Sequence, residues 1–350
     1  MSGVEPRPLR GTLVVDASRM LPGAVAARML AELGARIVKI ESPENGDPMR
    51  RVEPRVDGTG AMFRAWYRGA ESVCLDLRQP GDAERLRRLA GHADVLMESF
   101  RPGTLASWGL APAELAGEHP RLVVCSLSSF GQQAAEAGRV AHDLNLVAAA
   151  GLLSLLPGDG VPRVQIADVS AGMLACSAIL AALLGRERSG RGGWIDQPLA
   201  TGPLPFLATA REELAAGGGG TAAVLLSGRC AAYRLYTCGD GKRLAVAVLE
   251  PKFWAGFVEL LGLGDHIEAG LDPGPAGQAA ARAVAEHLAK RPRDHWLAAA
   301  AAAGLPLSAV RELGAADDGA FFPSAGAPLR GEAPALGEHT AKVLAEFGRH

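Results

Sequence analysis

Three short strings hold the side chains best suited to chemistry: Ala141-His142-Asp143-Leu144-Asn145, Gln165-Ile166-Ala167-Asp168 and Leu249-Glu250-Pro251-Lys252-Phe253-Trp254. They draw an imidazole and carboxylates from separate stretches of chain, each at the opening of a predicted helix. An imidazole and a carboxylate on opposite faces of a carbon acid can take a proton from one face and return one to the other. Each residue also has an ordinary structural reading. His142 can support the start of an apolar helix. Asp168 is of a type favoured at an N-cap, and Asp143 can orient its neighbour or cap a turn. Glu250, followed by Pro251, stands at a helix start, where Glu is a poor cap.

The elements that must position these strings follow a regular alternation. Strands are predicted at 12–15, 36–40, 73–75, 94–97 and 121–125, with a helix over 21–33 and helices between the last three strands. Such alternation requires right-handed crossovers and a parallel, doubly wound sheet. Helices are predicted at about 144–155 and 169–186. After the glycines at 217–220 the pattern changes. Runs at 231–236 and 243–248 flank Asp240-Gly241, a hairpin signal. Helices then follow at about 251–262, 274–290 and 293–303, and the tail from Gly337 reads as an amphipathic helix returning to the first domain. The fold expected is α/β, a large doubly wound parallel-sheet domain over 1–200 and 310–350 plus a smaller α+β domain over 225–305. Segments 201–224 and 306–309 are the expected linkers.

Bulk properties narrow the partners. The 350 residues are 48% hydrophobic and 21% charged, with a net charge of −2. No basic field for nucleic acid or anionic lipid follows from that balance. The five cysteines contain no CxxC pair. Free thiols in a reducing cytoplasm suit them better than disulfides or a metal site. The N-terminal stretch has no apolar signal core. The longest apolar run, about 171–184, falls short of the about 20 residues of a membrane span and reads as a buried helix. Expected, therefore, are a cytoplasmic protein, no nucleic-acid or membrane partner and no metal. The first strand-to-helix turn, Asp16 to Gly23, has no GxGxxG, so a dinucleotide site is not expected.

The ordered matches then point to a family. The chain resembles the family III CoA-transferases (the CaiB/BaiF family), and within it the α-methylacyl-CoA racemase branch. The likeness runs through Leu21-Pro22-Gly23, Leu33-Gly34-Ala35, Val38-Lys39-Ile40-Glu41, Gly46-Asp47-Pro48, Phe100-Arg101-Pro102-Gly103 and Trp108-Gly109-Leu110 to Pro334-Ala335-Leu336-Gly337-Glu338-His339-Thr340. Racemases of the family carry a His-Asp string matched by His142-Asp143, and a Glu-Pro-x-Phe matched by Glu250-Pro251-Lys252-Phe253. Asp168 matches both the racemase Asp and the transferase nucleophile. The chain departs from the family at Ser42 and Ala70-Glu71, where many members carry basic residues.

The resemblance implies an acyl-CoA substrate, with CoA part of the substrate and no tightly bound cofactor, and an interlocked homodimer. It implies catalysis by His142, Asp168 and Glu250 on the α-carbon of a 2-methylacyl-CoA, through an enolate. An imidazole pKa near about 6.5 leaves both protonation states available at neutral pH, whereas Asp168 needs its basicity raised by burial. Glu250 would hold the imidazole, and N–H groups at the start of the 169–186 helix would bind the enolate oxygen. Arg101, Arg50, Arg51, Arg64 and Arg68 are the expected phosphate partners. Two alternatives are a CoA-transferase with Asp168 as nucleophile and a non-catalytic acyl-CoA binding protein.

Overall fold

The computed structural model describes residues 7–156, 158, 160–218, 224–315, 319, 321–323 and 331–347. The chain divides into two compact units. One comprises Met1–Leu152, Val161–Pro205 and Gly319–His350, the other Leu153–Gly160 and Phe206–Asp318.

The first unit is built on a six-stranded sheet. Its strands are β1 (Leu13–Ala17), β2 (Arg36–Glu41), β5 (Glu71–Cys74), β6 (Val95–Glu98), β7 (Val123–Ser128) and β8 (Gly193–Pro198); a two-residue hairpin, β3 (Arg55–Val56) and β4 (Thr59–Gly60), stands apart. The order is β5-β2-β1-β6-β7-β8, and every pairing is parallel. The inner strands β1, β6 and β7 are buried along their length because both faces are covered. Val14 faces one apolar cluster with Ala24, Leu30, Ala175 and Ile179. Leu13 and Val15 face another with Leu86, Leu89, Leu115 and Val343.

The helices supply those two covers. On the first face lie α1 (Leu21–Glu32) and, later in the chain, the helix Ile166–Ser189. Those two pack closely at Gly172, where an added Cβ would stand 2.5 Å from the Pro22 carbonyl oxygen. The short α2 (Ala61–Trp66) precedes β5, and α3 (Pro80–His92), α4 (Thr104–Ser107) and α5 (Pro112–Glu118) precede β7. The tail helix Thr340–Phe347 places Val343, Leu344 and Phe347 on the second cluster, and His339 N–H donates to the Ser72 carbonyl at 2.9 Å.

Between β7 and β8 come α6 (Asp143–Ala150) and α7 (Ile166–Ser189). The helix predicted over 144–155 is interrupted at Gly151, whose φ of 92° is left-handed, and a 3-10 turn follows at Leu152–Leu155. The helix predicted from 169 starts three residues earlier, so Asp168 lies inside its first turn and is not its cap. α7 is long and apolar enough to cross a membrane by composition. Its Ala167, Ala171, Ala175 and Ile179 are instead buried within the unit.

After α8 (Leu204–Ala215), the second unit carries an antiparallel sheet of β9 (Tyr233–Thr237), β10 (Arg243–Ala247) and β11 (Leu307–Ala309). Its helices are α9 (Pro251–Leu260), α10 (Pro275–Leu288) and α11 (Arg293–Ala302), and the tail helix of the first unit is α12. The predicted linkers need correction. Residues 306–309 supply β11, because Leu307 and Ala309 pair with Val246 and Leu244. Within 201–224, α8 occupies Leu204–Ala215, and residues 219–223 lie outside the described residues.

Candidate active site

In an open parallel sheet the crevice opens beyond the carboxyl ends of the strands, where the strand order reverses. Here the chain runs from β1 outward through β2 to β5, then returns and runs outward through β6, β7 and β8. The reversal lies between β1 and β6, and two cavities open there. The larger, about 600 Å³, is lined by loops after β1, β2, β5 and β6, including Ser18, Arg19, Asn45, Arg51, Asp76 and Arg78. The smaller, about 320 Å³, is lined by Met20, Leu127, Val140, His142, Asp143, Gln165 and Asp168. Arg19, Ser99, Phe100 and Arg101 line both, so the two share a wall.

Beneath the larger cavity the sheet carries a buried charge lattice. Lys39 is fully buried, its Nζ 3.3 Å from Asp47 Oδ2 and 3.6 Å from Asp16 Oδ2. Burial works against its charge, but the carboxylates of Asp16, Asp47 and Glu41 outweigh it and hold the ammonium above its ordinary range. Tyr67 OH donates to Asp16 Oδ2 at 2.7 Å. Two residues further along β2, Glu41 accepts both arms of Arg50, at 2.6 and 2.7 Å, and the Ser72 hydroxyl at 2.7 Å. Burial raises the Glu41 pKa, but these partners, Arg50 above all, bring it below the ordinary carboxylate range.

This lattice corrects one expectation. The Arg50 fork is engaged by Glu41 and lies 3.7 Å from the Phe63 ring centroid, so it is part of the fold and lines neither cavity. Arg64 also lines neither; it pairs with Glu332 at 2.8 Å. Exposed Arg68 is likewise absent from both walls. Arg51 lines the larger cavity and Arg101 lines both. Arg19, Arg78 and Arg139 stand at the walls as well, and the sequence reading missed them. The available signal was position: Arg19 follows β1 and Arg78 follows β5, the strand ends where a crevice must form.

The smaller cavity brings His142 and Asp168 together. His142 precedes α6 in extended conformation, is exposed, and its N–H donates to Asn145 Oδ1 at 3.0 Å. Asp168 lies in the first turn of α7. Burial, then the neighbouring charge of Asp143, pushes its carboxyl up to about 6, against the opposing effects of the Gln165 amide and His142. The Gln165 amide donates to Asp168 Oδ2 at 3.1 Å, and Asp143 Oδ1 accepts the Asp168 N–H at 2.9 Å. Glu250 belongs to the second unit. It is the exposed N-cap of α9, makes no side-chain cap bond, and lines neither cavity.

Glu98, at the end of β6 under the shared wall, was also missed by the sequence reading. It is 2% exposed with no cation paired to it among the described residues. Burial pushes it up to about 7, with Asp196 adding to the rise and bonds from Ser126 and the Phe100 N–H opposing it. No group of three or more metal-ligating side chains occurs among the described residues.

A parallel sheet with its crevice at the strand reversal, and an imidazole–carboxyl pair inside that crevice, define an α/β protein equipped for acid–base or acyl chemistry. The chain belongs to CoA-transferase family III, whose model matches residues 9–326. It is 31% identical over 373 residues to the alpha-methylacyl-CoA racemase of Homo sapiens, covering 97% of this chain and 93% of that one. It is equally 31% identical over 394 residues to the succinate–glutarate CoA-transferase of Agrobacterium fabrum, covering 97% and 96%. Among solved structures, a CAIB/BAIF family protein from Brucella suis superposes with a TM-score of 0.81 at 29% identity, over 98% of this chain and all of that one.

Proposed function

We propose that the protein is an acyl-CoA racemase, inverting the α-carbon of a 2-methylacyl-CoA by two-base proton transfer. The observation that carries the proposal is the pairing of His142 with Asp168, its carboxyl raised to about 6, in one cavity. A thioester makes the adjacent C–H acidic because its loss places charge on the carbonyl oxygen. His142 and Asp168 then serve opposite faces of the α-carbon, and the Asp168 carboxyl, raised to about 6, can change protonation state near neutral pH. The enolate oxygen needs donors. The Asp168 N–H is already engaged by Asp143. The first N–H groups of α6, at Asp143 and Leu144 on the cavity wall, are therefore the better donors. Arg101 and Arg51, with Arg19 and Arg78, are assigned to the CoA phosphates in the larger cavity. The family resemblance alone assigns Glu250, from the same or the partner subunit, the support of the imidazolium, which Glu250→Gln tests through the rate. The protein is further proposed to be a homodimer: Met173, Ala181 and Leu184 leave an exposed apolar row along α7. Light scattering of the eluted protein checks that mass.

The test is incubation with 2-methylacyl-CoA in heavy water, following α-deuteration by mass spectrometry. Uptake of one deuterium is expected. The second reading, a CoA-transferase, is favoured by the position of Asp168, which also matches the transferase nucleophile. Its signature is CoA transfer between free acids without α-deuteration, indifferent to His142→Ala, with Asp168 trapped by hydroxylamine.

A further inference from the structure

Asp143 follows His142 directly, yet its carboxylate does not close a turn on its own helix. Its Oδ1 reaches 25 positions along the chain and accepts the Asp168 N–H at 2.9 Å. The bond ties the first residue of α6 to the first turn of α7. It therefore fixes the segment that carries the imidazole against the segment that carries the opposing carboxyl. We propose that Asp143 is a positioning residue for this pair: its carboxylate clamps the two helix starts together and keeps a negative charge beside the Asp168 carboxyl. The proposal rests on the acid–base reading of Asp168.

Among the described residues three side chains act on the Asp168 carboxyl. The Gln165 amide donates to its Oδ2 at 3.1 Å, and His142 and Asp143 act on it through their charges. Of these, only Asp143 disfavours the ionised form, and it stands second to burial among the causes that raise the carboxyl to about 6. The clamp and the charge are separable by substitution. Asn at 143 keeps an oxygen that accepts the N–H but carries no charge. Ala keeps neither, and Glu keeps the charge on a longer stem.

The experiment uses the full chain with 13C-labelled aspartate carboxyls, the Asp168 signal being assigned by its loss in Asp168→Asn. The wild-type signal should titrate near pH 6. In Asp143→Asn the midpoint should move to lower pH by about half a pH unit or more, the direction expected when a neighbouring like charge is removed. Asp143→Glu should return it toward the wild-type value. The acidic limb of the pH profile for α-deuterium uptake should move with the NMR midpoint. Asp143→Ala should be slower than Asp143→Asn by about tenfold at pH 8, the scale of one lost positioning hydrogen bond. A merely structural role would lower the rate without moving the limb. An unchanged midpoint in Asp143→Asn overturns the proposal. Absence of α-deuteration by the wild type at every pH overturns the racemase reading instead and leaves the NMR comparison standing.

Discussion

Two clusters of ionisable side chains lie at the carboxyl end of the same sheet, and they differ in how completely their charges are met. Under the larger cavity Asp16, Lys39, Asp47, Glu41 and Arg50 are buried, and each carboxylate has a cation within 3.6 Å. In the smaller cavity Asp168 has a carboxylate neighbour, an amide donor at 3.1 Å and the imidazole of His142, and its pKa is raised to about 6. Carboxylates are thus each met by a cation in the first region, whereas Asp168 in the second is met by a like charge and an amide. Ionisable groups that pair fully in burial hold a fold together; those that pair partly, at a cavity wall, can exchange protons.

The largest expected effect tests the first region. Lys39→Met removes the cation shared by Asp16 and Asp47 and leaves two carboxylates buried without it. A loss of about 3–5 kcal/mol in stability to urea is expected. A smaller loss than that of an ordinary surface substitution would show that the lattice is not structural.

Next comes Glu98, which has the burial of the first region but no cation paired to it among the described residues. Its folded pKa, about 7, lies above the ordinary 4.5. The unfolded chain therefore holds fewer protons between these values, and stability falls as pH rises through that window. Glu98→Gln should stabilise the protein at pH 8 by up to about 3 kcal/mol more than it does at pH 4.5 or below. Melting curves at the two pH values measure the difference; equal effects would mean that Glu98 is ionised normally.

The second region is tested by His142→Ala, for which racemisation should fall by about a hundredfold or more while folding stays intact. Smallest is Arg101→Glu. It should weaken CoA binding by about tenfold, with an effect that shrinks as salt rises. Unchanged affinity by calorimetry would remove Arg101 from the phosphate site.

The sequence displayed the sheet well and the site in pieces. β1, β2 and β7 are apolar runs bounded by turns, so the alternation of strand and helix was legible. β8 was not, because Gly193, Trp194, Asp196 and Pro198 give an edge strand little apolar pattern, and its Asp196 is exposed. Asp168 read as a cap because Asp favours that place, whereas the helix starts at Ile166 and the Asp168 N–H is satisfied by Asp143, far back in the chain. Arg50 read as a phosphate partner because its pairing with Glu41 needs a buried strand end that periodicity cannot show. The pairing of His142 with Asp168 came from the family resemblance, since 26 intervening sequence steps carry no local signal of nearness.

His142 and Asp168 are proposed to serve opposite faces of one α-carbon. The direct measurement starts from a single epimer of a 2-methylacyl-CoA in heavy water and records where deuterium appears. With the wild type, the inverted epimer should carry α-deuterium, and the rate should rise with pH through a limb near 6 that Asp168→Asn abolishes. His142→Ala and Asp168→Asn should each lose inversion, and exchange with retention should survive only in the variant that keeps the base facing the α-hydrogen. Inversion that persists in either variant, or an unlabelled thioester accompanied by an Asp168 adduct trapped with hydroxylamine, would contradict it.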